Sequence, residues 1–321
     1  MTKMEATPAR PGGGPGDISV SVVVPTRDRT TRLLLTLAAL AHQTLDRDRF
    51  EVILVDDAPE RGAVDRVLAA APGTPPLRHA RTGGRGPARA RNAGAELARG
   101  ELLLFLDDDT VATPELLTAH LAAHRDAPGT VVHGTITDLS AFALTPDPPA
   151  PRPALTGARG RSIDARRVAR LREDAQLLGP RRSFIERTAA KVIRDPALAG
   201  LRWLACIGTS TSVRRADFER AGGFDEGFGE LWGGEDLELG LRLHAAGARF
   251  ALLDTVAYHL PTARRDTGEL LPRFWRLAAE RHGDPRLADV GTFLAGRLSP
   301  EELAARLGTR TAALSPGRAA P

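Results

Sequence analysis

ELLLFLDDDT, residues 101–110, changes character in a single step. Leu102 to Leu106 is an unbroken apolar run, which suits a strand buried on both faces of a sheet. Asp107, Asp108 and Asp109 follow at once. Adjacent carboxylates repel one another, so a cation best explains such a run at a strand's carboxyl end. Hard oxygen ligands favour Mg²⁺ or Mn²⁺, and an aspartate pair holding such a metal can grip a diphosphate. Alone, the triplet is explained equally well as a solvated turn that caps the next segment. Its surroundings have to decide.

Working outward, Ile18–Val24 alternates and then runs through β-branched residues before Pro25-Thr26-Arg27-Asp28-Arg29, the pattern of a strand entering a polar loop. Leu33, Leu37, Leu40 and Ala41 then share one helical face over residues 30–42. Glu51–Val55 is a second strand ending in Asp56-Asp57, and Val64, Val67, Leu68 and Ala71 mark a short second helix. Gly-rich residues 82–86 lead to Pro87 at a first helical position, and that helix delivers the chain to the aspartate strand. This alternation predicts an α/β fold, a mostly parallel central sheet with helices on both faces, whose ligand site lies at the strands' carboxyl ends. The Gly-rich loop fits neither the P-loop nor the dinucleotide spacing.

Past the triplet, Thr113 and Pro114 are expected to start a helix, and Val131–Ile136 a strand. Five of the nine residues 145–153 are Pro, so 137–165 is expected to be a mobile acceptor-side loop. Residues 163–178 read as an amphipathic basic helix, a solvated surface helix in preference to a membrane-contacting one because aromatic anchors are few. Leu204–Val213 resumes a strand. Gly233-Gly234-Glu235-Asp236 opens a helix on Leu237 and Leu241, placing both acids where its dipole favours carboxylates. Arg249–Tyr258 makes a last strand that stops at His259. The expected organisation is a disordered tail at 1–17, one domain at 18–296 made of a first half at 18–136, a variable insertion at 137–200, a second half at 201–261 and a helical end at 262–296, and a tail at 297–321 in which Ser299-Pro300-Glu301-Glu302 is expected to start a short helix.

Composition removes other classes. Of the 321 residues 42% are hydrophobic and 26% charged, which suits a soluble globular domain. Net charge is +4, and all but two of the 44 basic residues are Arg. Guanidinium suits phosphates and acidic surfaces generally, and 4% aromatic residues argue against a base-stacking nucleic-acid platform. Residues 1–16 lack the apolar core of a signal peptide, so the cytoplasm is expected, with peripheral contact at the inner face of a membrane as a further option. Cys206 sits in an apolar run and reads as a buried small residue.

Six short motifs stand in order: Val-Val-Val-Pro-Thr-Arg-Asp-Arg (22–29), Val-Asp-Asp (55–57), Ala-Arg-Asn-Ala-Gly (90–94), Phe-Leu-Asp-Asp-Asp (105–109), Gly-Gly-Phe-Asp-Glu (222–226) and Trp-Gly-Gly-Glu-Asp (232–236). Together they resemble the inverting glycosyltransferases of family 2, with the GT-A nucleotide-diphospho-sugar transferase fold. The last also resembles the acceptor loop of β-1,4-galactosyltransferases and chondroitin-polymerising enzymes. Arg27 departs from the usual Tyr, and Ala58-Pro59 from the usual Gly-Ser.

The resemblance implies a metal-dependent transferase moving sugar from a nucleotide-diphosphate donor, a UDP-sugar first, to the hydroxyl of a glycan, lipid, peptide or small-molecule acceptor. Pro25, Thr26, Arg29, Asp57, Arg91, Asp107 and Asp108 would bind donor. Asp107, Asp109 and His259 would hold Mn²⁺ or Mg²⁺. Trp232 and Glu235 would touch acceptor, and Asp236 would be the base. The alternatives are a non-catalytic nucleotide-sugar-binding protein and, more remotely, a sugar-phosphate nucleotidyltransferase, whose Gly-rich loop with a downstream Lys is missing.

Overall fold

The computed structural model describes residues 18–60, 62–71, 76–125, 127–262 and 269–308. Its strands are β1 (Val20–Thr26), β2 (Phe50–Asp56), β3 (Leu77–Arg81), β4 (Leu102–Leu106), β5 (Thr110–Ala112), β6 (Thr130–Leu139), β7 (Ala154–Thr156), β8 (Ser162–Asp164), β9 (Pro180–Arg181), β10 (Ser210–Arg214) and β11 (Arg249–His259). The main sheet runs β3-β2-β1-β4-β10-β6-β11-β5, with β9 paired to β6. β3, β2, β1 and β4 are mutually parallel, β10 runs against both β4 and β6, and β11 is parallel to β6. Along that path only β10 and the edge strand β5 are reversed. The expected mostly parallel α/β sheet is what forms.

Strand alternation divides the core into two layers. Leu102, Leu104 and Leu106 of β4 join Val20, Val22 and Val24 of β1 on the face covered by helices Thr31–Leu40 and Leu116–Arg125. Leu103, Phe105 and Val23 point into the opposite layer, under helices Pro87–Leu97, Glu235–Ala245 and Leu270–His282. A strand buried on both faces has no polar side available, hence the unbroken apolar run. Gly94 has a comparable cause, because a Cβ there would stand 2.3 Å from Val23 Cγ1 and push helix Pro87–Leu97 off the sheet.

Several expectations need correction. β3 lies where the sequence suggests only loop; Leu-Arg-His-Ala-Arg at a sheet edge has no clear alternation. The expected Thr113 cap does not form: helix Leu116–Arg125 starts later, and Thr113 Oγ1 is buried without a hydrogen-bond partner. Residues 163–178 are β8 followed by short turns of 3₁₀ and α-helix, although Val168, Leu171, Ala175 and Leu178 are the buried face as expected. β10 begins only at Ser210, since Pro196–Ala205 is 3₁₀-helical.

Residues 137–165 are not a loose loop either. Asp147 accepts hydrogen bonds from the N–H groups of Thr30, Thr31 and Arg32 at 2.6, 2.9 and 3.1 Å, capping a helix more than a hundred residues away. It also pairs with the fully buried Arg32 guanidinium at 3.1 Å. β7 and β8 follow as a hairpin. The short helix expected from Ser299 does form, as Pro300–Leu307 with a Ser299–Glu302 capping box, and its Leu303 and Leu307 enter the second core layer, so the folded body extends past 296. The expected tail at 1–17, and 309–321 of the expected C-terminal tail, lie outside the described residues.

Candidate active site

A cleft of about 410 Å³ opens at the carboxyl ends of β1, β2 and β4. Pro25, Thr26, Arg29, Asp57, Arg91, Asp107, Asp108, Asp109 and Trp232 all line it, which brings together every expected donor residue, two of the three metal candidates and one acceptor candidate. Arg27, Pro87, Ala90, Glu230 and Thr262 complete the wall. Sequence reasoning gave these five no role. Arg27 and Glu230 form an exposed ion pair at 3.4 Å, and Glu230 could have been found from its place in the Gly-rich loop just before Trp232.

The aspartates are held by cations. Asp28 has φ +58°, a left-handed turn that Asp tolerates, and Arg29 beyond it pairs with Asp108 at 2.9 Å and with Asp109. Thr26 Oγ1 donates to Asp108 Oδ2 at 2.6 Å. Burial, with Asp109 and Asp107 nearby, still raises the Asp108 carboxyl to about 6 against the pull of Arg29. Asp107, the most exposed of the three, accepts from Arg91 Nη2 at 2.9 Å.

Asp57 organises backbone. It accepts from Thr82 Oγ1 at 2.6 Å, Arg85 N at 2.9 Å and Gly86 N at 3.0 Å, so this one carboxylate shapes the Gly-rich loop. Gly86, at φ +95°, touches a second loop; a Cβ there would lie 2.1 Å from Gly229 O. Asn92 makes a further link, donating to Phe224 O and accepting from Phe224 N, both at 2.9 Å. These contacts explain why the Ala-Arg-Asn-Ala-Gly and Gly-Gly-Phe-Asp-Glu motifs occur together.

His259 ends β11, beside Asp138 on β6. Its Nδ1 lies 2.8 Å from Asp138 Oδ1 and its Nε2 3.2 Å from Asp109 Oδ2. Burial alone lowers the imidazole, but Asp109 and Asp138 outweigh it and hold the group at about 10. With Nδ1 held by Asp138, Nε2 and Asp109 Oδ2 face one another, and they fit a divalent cation that takes the place of the shared Nε2 proton. Asp107 is turned to Arg91 instead, and among the described residues no three His, Cys, Asp or Glu groups already converge as a metal cage. Asp138 carried no sequence signal, being one polar residue in a long strand.

Glu235 and Asp236 do not line the cleft. Glu235 is buried; Oε1 accepts from Arg91 Nη1 at 2.7 Å, and Oε2 from Gly233 N and Gly234 N at 2.9 and 3.0 Å. With both oxygens engaged, it holds the Trp232 loop where free acceptor contact was expected. Asp236 accepts only backbone N–H groups, Gly208 N and Leu237 N, each at 2.8 Å. Burial and the adjacent Glu235 charge raise its carboxyl to about 6. Buried Arg91 thus joins Asp107 to Glu235, with Phe224 against its guanidinium.

Residues 21–143 match the family model described as Glycosyl transferase family 2, and residues 192–263 match the N-terminal domain of galactosyltransferase. Validoxylamine A glucosyltransferase of Streptomyces hygroscopicus subsp. jinggangensis is 37% identical over 236 residues, covering 71% of this chain and 52% of that protein. The uncharacterized glycosyltransferase YfnE of Bacillus subtilis is 29% identical over 75% of this chain and 64% of its own length. The chain spans about half the length of the validoxylamine enzymes it matches. Among solved structures, mannosyltransferase PcManGT of Pyrobaculum calidifontis superposes with TM-score 0.54 at 19% identity, covering 94% of this chain and 77% of that one. S. aureus TarS 1-349 does so with TM-score 0.53 at 18% identity, covering 88% and 72%. Sequence and architecture agree, and the chain carries a glycosyltransferase family 2 domain, an enzyme domain built on the GT-A fold.

Proposed function

We propose that the chain transfers a sugar from a nucleotide-diphosphate donor to an acceptor hydroxyl in one inverting displacement. The observation that carries this reading is the pairing of a phosphate-suited carboxylate and arginine cleft with a separate carboxylate, Asp236, whose basicity is raised to about 6. Thr26, Arg29 and Asp108 fix the wall facing the nucleoside, and Asp57 shapes the loop above it. Asp109 and His259 would hold Mn²⁺ or Mg²⁺, with Asp107 released from Arg91 as a third ligand or ribose contact. Bound there, the ion would supply Lewis-acid stabilisation of charge developing on the diphosphate. Trp232 covers the donor pocket. Asp236 takes the acceptor hydroxyl's proton as the hydroxyl attacks the anomeric carbon.

The comparisons narrow the first ligands to try. TarS was solved with UDP and with UDP-GlcNAc, and PcManGT with GDP-Man and Mn²⁺. The validoxylamine relatives make validoxylamine A the first acceptor to test and a glucosyl donor the first sugar. A thermal-shift screen of UDP, GDP and their sugars, with and without Mn²⁺, tests donor binding, because a ligand of the native state raises its melting temperature. Metal-dependent stabilisation by one nucleotide is expected. No shift with any of them rejects the reading, and a product of retained anomeric configuration rejects the single displacement.

A further inference from the structure

The positive charge of this chain is concentrated in one segment. From Pro151 to Arg194 there are eleven Arg and one Lys against four carboxylates, an excess of eight, whereas the whole chain stands at +4. The remainder is therefore net negative by four. Many arginines elsewhere are consumed by ion pairs or core hydrogen bonds, as Arg29, Arg32, Arg91, Arg242 and Arg281 are. Within the segment, Arg159, Arg166, Arg170, Arg181, Arg182 and Arg194 are exposed and have no acidic partner among the described residues.

A second observation falls on the same place. The exposed large hydrophobic residues among those described are Leu144 (86% exposed), Leu177 (66%) and Phe184 (38%). Leu177 stands between Ala175 and Leu178, which are buried, so its exposure is not a property of the whole turn. Isolated apolar side chains on a surface need no explanation. Two of them, Leu144 and Leu177, flank one backbone contact, whereas Phe184 packs on Phe293 with ring centroids 5.2 Å apart. Ser140 N and Oγ both donate to Gly179 O, at 3.0 and 2.8 Å, bringing Leu144 and Leu177 to one junction. β9, with Arg181, pairs alongside β6 at that junction, and Gly157 at the hairpin tip beside Arg159 packs on Ala141 and Phe142.

We propose that this junction is a docking surface for an anionic lipid bilayer. Arginines bind lipid phosphates, and neighbouring leucines enter the acyl boundary, a pairing typical of proteins that lie on membranes. A soluble polyanion would use the arginines but gain nothing from exposed leucines, so the combination favours lipid. No helix among the described residues is long and apolar enough to cross a membrane, and this contact requires none. The scarcity of aromatic anchors, which argues for a plain solvated surface in the sequence, is offset by leucines that the backbone turns outward. Docking needs neither donor nor metal.

Co-sedimentation of the full chain with vesicles tests it. Binding is expected to vesicles of phosphatidylcholine with one-third phosphatidylglycerol, not to phosphatidylcholine alone, and to weaken as salt shortens the screening length. Arg181→Gln with Arg182→Gln should lower affinity roughly 30-fold, and Leu144→Ser with Leu177→Ser roughly tenfold or more. All four side chains are exposed, so unchanged melting temperatures are expected and would separate lost docking from lost folding. Equal binding to neutral vesicles, or none to either kind, overturns the proposal. So does a leucine pair that can be replaced without effect while inorganic polyphosphate competes fully, which would make the surface a polyanion site.

Discussion

Two groups of carboxylates meet near Arg91, and their surroundings differ in kind. Asp107, Asp108 and Asp109 are paired directly with Arg91, Arg29 and His259, whereas Asp236 accepts hydrogen bonds from the N–H groups of Gly208 and Leu237 and feels Arg91 only through space, among the described residues. Burial raises the Asp108 and Asp236 carboxyls alike to about 6, but the Asp108 oxygens are taken up by the Thr26 and Arg29 side chains of the cleft wall. Amide dipoles orient a carboxylate without neutralising it, so burial can raise its basicity. The contrast suits one cluster to binding charged ligands and the other residue to accepting a proton.

The strongest way to break that contrast is Asp236→Asn, which keeps the side-chain shape and one backbone contact. Transfer is expected to fall by about 10²–10⁴ while donor affinity with Mn²⁺ stays near wild type. Full activity in a normally folded variant would leave Asp236 with a capping role only. Asp109→Ala should do the converse, lowering metal-dependent nucleotide affinity by about 10–100-fold in calorimetry, with binding in EDTA unaffected. Asp138→Asn tests the support of His259 and should fall within that range.

The pH profile sharpens the comparison without a mutation. A base must be deprotonated to act, and the Asp236 carboxyl is raised to about 6. The kcat/KM of the wild type is therefore expected to drop about tenfold per pH unit below 6. A flat profile down to pH 5 would mean that this group titrates lower or does not act. Glu235→Gln should give the smallest effect, a few-fold rise in acceptor KM, because Gln keeps the loop N–H contacts but loses charge pairing with Arg91.

What the sequence reveals follows the range of the forces involved. The buried strands were legible because two-sided burial excludes polar residues over five or more positions, as in Leu102–Leu106. The helix at Glu235–Ala245 was legible because its apolar spacing is local. β3 was not, since an edge strand carrying two Arg and a His satisfies no simple period. Residues 163–178 kept the expected buried face although the backbone breaks into short turns, because 3₁₀ and α turns present nearly the same spacing over a few residues. The Asp147 cap and the Asp138 support of His259 are pairings across more than a hundred residues, and no local pattern encodes them. Within the site, residue types at strand ends were readable. Which of them Arg91 would pair with was not, and Glu235 is one of them.

Arg91 also provides a route for thermodynamic coupling between the two sides of the site. One guanidinium serves Asp107 at the donor side and Glu235 beneath the Trp232 loop, and its Nε has no partner among the described residues. If a donor draws Asp107 away, as proposed, Arg91 is left to Glu235 alone and the loop that Glu235 holds is altered. Linkage is reciprocal: an acceptor that prefers the altered loop must tighten donor binding by the same factor with which donor tightens its own. Cooperativity between two substrates that need never touch each other's pockets can thus reside in a single shared side chain.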